Sequence, residues 1–131
     1  MIDTSVVIDL DRVATDDLPA ELAVSAVTLA ELAAGPHATT DPAERARRQD
    51  RLQRAEATFD PVPIDAAVAR AYGRVYAAVL DAGRKARGRR AIDLLIAATA
   101  LASGLPLYTC NPADFGHLDG LVEIVHVAPA H

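Results

Sequence analysis

The sequence predicts a three-layer α/β domain, a central and mainly parallel sheet flanked by helices. Short apolar runs of strand length alternate along it with longer helical stretches. The segment Ala91 to Ser103 is apolar almost all round, as a helix buried inside a domain must be. The 131 residues, 51% of them apolar, suit one domain with a real core.

Met1 to Asp3 reads as a short strand, and a helix follows from Thr4 or Ser5, whose hydroxyl caps the free N–H groups ahead of Val6, Val7 and Ile8. Asp11 to Pro19 is a loop. Ala23 to Ala26 is a brief buried strand, and Thr28 opens a helix carrying Leu29, Glu31 and Leu32 that stops at Gly35-Pro36. Asp41-Pro42 is an N-cap with proline in the first turn, opening a charged helix to about Thr58. Pro61 to Ile64 is a short strand, and Asp65 caps a helix to about Ala82. Gly83 to Arg90 is a basic loop. After the buried helix, Gly104 and Pro106 enforce a stop; Leu105 to Cys110 is a strand, Asn111-Pro112 a turn, Asp114 to Leu118 a helical turn and Leu121 to Val127 a last strand.

Cys110 is the only cysteine, so no intrachain disulfide forms, and a lone thiol fits a reducing cytoplasm. No apolar run approaches the roughly 18 residues a membrane span needs, and Asp3 and Asp9 interrupt the start where a signal peptide would be apolar. The net charge of −5 is unevenly spread. Ten of the 13 basic residues fall in two segments, Arg45 to Arg54 and Arg84 to Arg90, whereas the first 31 residues hold seven acids and one base. A protein that holds a cation and a polyanion together carries patches of both kinds, although solvated helix faces give similar counts.

Four separated acids stand out. Asp3 and the Asn111 to Asp114 segment directly follow strands, where ligands sit in open α/β sheets. Glu31 lies one turn into its helix and Asp93 near the start of the buried one. Asp3, Glu31 and Asp93 are embedded among Ile, Val, Leu and Ala, and an isolated buried carboxylate costs several kcal/mol without a partner. Few cationic side chains in those segments supply one, whereas a hard divalent cation serves all the acids at once. Oxygen ligands without a His or Cys cluster suit Mg²⁺ or Mn²⁺ over zinc, and such a site activates water against a phosphodiester. Taken singly, each acid also has a structural reading: Asp3, Asp93 or Asp114 as a cap, Glu31 as a solvated helix residue. His37, His117, His126 and His131 have no ligand spacing, and no P-loop or dinucleotide-binding glycine motif is present.

The stretches "IDTSVVID", "TLAELAAG" and "AIDLLIAATALASGLPLYTCNPADF", in this order and spacing, resemble PIN domains, specifically VapC-type toxins of bacterial toxin–antitoxin pairs. The resemblance spans nearly the whole chain and implies a single PIN-like domain over residues 1–131. It implies an Mg²⁺-dependent endoribonuclease toxin, with Mn²⁺ as an alternative ion, acting on RNA, forming a homodimer and neutralised by a VapB-type antitoxin protein. It assigns Asp3, Glu31, Asp93 and Asp114 as catalytic and metal residues, the fourth place being shared between Asp114 and Asn111. Ser5, Thr109 and Asn111 are expected to orient the acids or the scissile phosphate, and Arg84, Lys85, Arg87, Arg89 and Arg90 to touch RNA. Because only Met1 and Ile2 precede Asp3, the competing expectation is a PIN-like RNA- or protein-binding module without catalysis.

Overall fold

The computed structural model describes residues 1–85 and 87–129; Ala86 of the basic loop and His131 lie outside the described residues. In chain order the helices are α1 (Thr4–Ile8), α2 (Ala26–Ala34), α3 (Pro42–Thr58), α4 (Ala66–Asp81) and α5 (Arg89–Ser103), and the regular strands are β1 (Leu107–Thr109) and β2 (Ile124–His126). Single 3-10 turns cover Leu10–Arg12, Thr15–Asp17, Gly35–Ala38 and Pro112–Phe115.

Five extended segments lie side by side in the order 61–63, 23–25, 1–3, β1, β2. The Ser25–Val62 and Ile2–Tyr108 bridges and the β1–β2 ladder are all parallel, and the Ile2 N–H donates to the Ala23 carbonyl at 2.9 Å to join the middle pair. The expected strands at Met1 to Asp3, Ala23 to Ala26 and Pro61 to Ile64 thus contract to one bridging residue each. The reason is local. Asp3 and Ser25 turn at once to cap α1 and α2, and prolines at 61 and 63 deprive both neighbours of Val62 of an N–H.

Side chains alternate across these segments and build two cores. Met1, Leu107 and Ile124 face α4 and α5, among Val68, Val75, Leu94 and Phe115. Ile2, Val24 and Tyr108 face α1, α2 and α3, among Val6, Leu32, Leu52 and Ala55. The sheet is covered on both faces, as its alternating pattern predicts.

The acid-capped helices match expectation closely. Asp41 accepts from the Ala43 N–H at 3.3 Å and Asp65 from the Val68 N–H at 3.0 Å, and α3 and α4 begin at the next residue in each case. Helix α1 begins at Thr4, as expected, and of the two cap readings the Asp3 carboxylate, not a hydroxyl, is the one seen, because Asp3 has the extended backbone of a cap. Two boundaries differ. Helix α2 starts at Ala26, two residues before Thr28, because the Ser25 hydroxyl accepts from the Val27 N–H at 3.1 Å. Helix α5 starts at Arg89, so Arg89 and Arg90 are helical and the basic loop ends at Gly88.

Gly88 has φ 56° and ψ −130°, a conformation closed to residues with a Cβ. Gly88→Ala is therefore expected to lower stability by roughly 1–3 kcal/mol in urea unfolding, although space is open around the new methyl. At the other end of α5, Gly104 adopts a left-handed conformation and donates to the Leu101 carbonyl while Leu105 donates to that of Ala100. That double bond closes the helix and aims the chain into β1.

Candidate metal centre

In the strand order above, the chain reverses direction of build-up between segment 1–3 and β1. A crevice at the carboxyl ends of the strands opens at such a point, and Asp3 and the residues after Thr109 stand there.

Asp3 is 5% exposed. Its Oδ1 accepts from the Ser5 hydroxyl at 2.6 Å and from the Val6 N–H at 3.1 Å, so its capping role and its place at the crevice coexist. The Ser5 hydroxyl also accepts from the Cys110 N–H at 3.1 Å and lies 3.5 Å from the Thr109 hydroxyl, which accepts from the Asn111 N–H at 3.0 Å. Ser5 and Thr109 therefore stitch the start of α1 to the chain leaving β1, and of the two only Ser5 hydrogen-bonds an acid. Burial pushes the Cys110 thiol up, away from any nucleophilic thiolate.

Glu31 is held by Thr4, which the sequence offers only as a helix start and cap. The Thr4 hydroxyl donates to Glu31 Oε1 at 2.6 Å and lies 3.1 Å from the Thr28 hydroxyl. Glu31 Oε2 lies 3.6 Å from the Arg89 guanidinium, whose own side chain is 72% exposed. One of the few cations near these acids thus reaches Glu31, because the start of α5 brings Arg89 across to α2. The only sequence signal for Thr4 was its place beside Asp3.

Asp93 stands in the second turn of α5, where Thr99 lies further along the same helix and meets the Ser25 hydroxyl at 3.1 Å. This buried contact ties α5 to the cap of α2 and so fixes Asp93 relative to Glu31. The Asp93 carboxyl is pushed up from 3.8 to about 6, first by burial and then by the charge of Asp114, with Glu31 and Asp3 adding and Arg89 opposing. One carboxyl thus feels all three of the other acids.

Asp114 is exposed on the Pro112–Phe115 turn, and Asn111, also exposed, precedes that turn and accepts from the Asp114 N–H through its backbone carbonyl at 3.1 Å. Arg84, Lys85 and Arg87 are exposed, and neither their side chains nor that of Arg90 have a hydrogen-bond or ion-pair partner among the described residues.

Among the described residues, no three acidic, histidine or cysteine side chains stand at ion-holding separation. The acids share a region without meeting at a point. The donor set is all oxygen, with one acid buried, two half-buried and one exposed on a short turn, which fits a hard cation that keeps some of its water.

Residues 1–121 match the family described as PIN domain. The chain is 37% identical over 112 residues to Ribonuclease VapC5 of Mycobacterium tuberculosis (strain ATCC 25618 / H37Rv), covering 84% of this chain and 79% of that protein. It is 40% identical over 101 residues to Ribonuclease VapC8 of Mycobacterium tuberculosis (strain CDC 1551 / Oshkosh), covering 76% and 88%. Among solved structures it resembles the crystal structure of VapBC-5, a member of the VapBC family of toxin–antitoxin systems from Mycobacterium tuberculosis, with TM-score 0.83, 36% identity and 96% of each chain covered. FitAcB from Neisseria gonorrhoeae shares the fold with TM-score 0.74, 25% identity and 95% of each chain covered.

Proposed function

The chain belongs to the PIN-domain family and to its VapC ribonucleases, and from that premise we propose that it is a toxin that hydrolyses phosphodiester bonds in RNA with a divalent ion, Mg²⁺ before Mn²⁺. The observation that carries the ion dependence is Asp93, a carboxyl raised by burial and by three other acids, which a cation would relieve. Asp3, Asp93 and Asp114 are the residues that would hold the ion. A bound divalent ion supplies a Lewis acid that lowers the pKa of water and steadies the leaving oxygen. Glu31, which Thr4 and Arg89 contact, would join Asp3, Asp93 and Asp114 as a ligand or accept the proton of the attacking water. Asn111, exposed near Asp114 in the chain, would orient the scissile phosphate.

The partner is a VapB-type antitoxin, in keeping with the VapBC complex that the chain resembles. A second copy of the chain is proposed to cover the apolar side chains of Tyr76 and Leu80, 39% and 49% exposed and one turn apart on α4. No helix among the described residues is long and apolar enough to cross a membrane. The whole of residues 1–131 is read as one domain.

The deciding experiment incubates RNA with the protein in EDTA and then restores Mg²⁺ or Mn²⁺. Cleavage is expected only after restoration. Cleavage that persists in EDTA overturns the ion dependence, and RNA binding without cleavage at any ion concentration favours the non-catalytic binding module instead. Ser5→Ala is expected to weaken divalent-ion affinity about 10- to 100-fold by titration calorimetry, because the Asp3 carboxylate loses the hydroxyl that orients it. Ser5→Thr should keep most of that affinity.

A further inference from the structure

We infer that the cleft walled by α1, α2 and α3 receives the phosphodiester backbone of the RNA beside the scissile bond, and that Arg51 is the side chain that grips a phosphate there. The inference rests on the ribonuclease reading above and adds a path and a residue to it. The cleft measures about 440 Å³, within the roughly 300–1,000 Å³ of clefts that hold ligands. Thr4 and Glu31 belong both to its wall and to the acid site, so the two are continuous. The bond to be cut lies at the acids, and the neighbouring phosphates of the same strand must therefore pass an adjoining wall.

Most arginines of α3 are already committed to the fold. Arg45 donates to the Pro36 and Thr39 carbonyls at 3.0 and 2.9 Å. Arg47 and Arg48 bond Glu44 and hold its carboxyl below the ordinary value, and Arg48 also donates to the Gly35 carbonyl at 2.9 Å. Arg54 pairs with Asp50 at 3.1 Å and Asp11 at 3.5 Å. Arg51 is the one arginine of α3 without a side-chain hydrogen bond or ion pair among the described residues, and it is half-buried in the cleft wall.

The charges on that wall sharpen the point. Arg48 is matched by Glu44 and Arg89 by Glu31, which leaves Arg51 as unmatched positive charge. A guanidinium held partly out of water keeps its planar fork of donors available for two phosphate oxygens at once. A smaller hollow of about 160 Å³ between α1 and α3 shares Arg51 but none of the four acids, so the larger cleft is the one that leads to the chemistry.

The test measures binding of a single-stranded RNA oligonucleotide to the full chain over a salt series, with Ca²⁺ in place of Mg²⁺, alongside Mg²⁺-dependent cleavage of the same RNA. Arg51→Ala is expected to weaken binding about tenfold and to lower the salt slope by about 0.7, the contribution of one single-strand phosphate. Its KM should rise with kcat retained, as for a residue that binds substrate and transition state alike. Arg51→Lys should recover most of the affinity, and Arg47→Ala, whose guanidinium is committed to Glu44, should match the parent. Should Arg51→Ala fail to fold, Arg51→Gln, which keeps the stem, carries the comparison. If the parent cleaves RNA and the Arg51 variants bind it with parental affinity and slope, the inference alone is overturned; an effect only on an acidic protein partner overturns it equally. If the parent neither binds nor cleaves RNA, the ribonuclease reading falls and takes the inference with it.

Discussion

Asp93→Asn is expected to reduce RNA cleavage by about a hundredfold to a thousandfold, and at the same time to stabilise the ion-free protein at neutral pH. The second effect follows from the direction of the Asp93 shift. A carboxyl raised from 3.8 to about 6 favours the folded state while protonated, and its contribution is lost as pH rises through 6. Above that pH the folded protein holds a charge that burial and the other acids disfavour, and the amide removes it. With allowance for solvent around this half-buried group, the variant should gain roughly 1–2 kcal/mol at pH 7.5 in EDTA. The gain should vanish below about pH 3, where Asp93 is protonated in both folded and unfolded chains. Urea unfolding at the two pH values checks this; an ion-free variant less stable than its parent at pH 7.5 would mean that the carboxylate has a favourable partner.

The other large effect is structural. Phe115 is 1% exposed in the core of α4 and α5, and it ends the short turn on which Asp114 rides. Phe115→Ala is expected to cost about 3–5 kcal/mol in denaturant unfolding, the usual loss for emptying a buried aromatic site. Cleavage should fall even at temperatures where the variant remains folded, because the turn loses its anchor while its acid stays in solvent. Parental activity in a folded Phe115→Ala protein would show that Asp114 needs no such anchor.

Features set by a few neighbouring residues were legible in the sequence. Asp41-Pro42 and Asp65 announce their helices because a cap is a local device, resolved within three residues of chain. Asp93 was legible because a carboxylate in an apolar helix has few structural uses. Strand lengths were less so, since apolar runs cannot tell a ladder from a single bridge between two caps. The Arg89–Glu31 pair and the Thr4 bond to Glu31 join distant parts of the chain, and no spacing rule reaches them. Arg51 stood out only after its neighbours on α3 had been matched with partners.

The interruption in strand order has a consequence for how this protein comes into being. Asp3 and Glu31 lie in the first half of the fold and Asp93 and Asp114 in the second, and they come into one region only when α5 docks on α2 and β1 slots in beside segment 1–3. A chain still growing on the ribosome holds half a blade. The proposed site therefore cannot form from the first half of the fold alone, and its completion waits on the docking of α5 and β1.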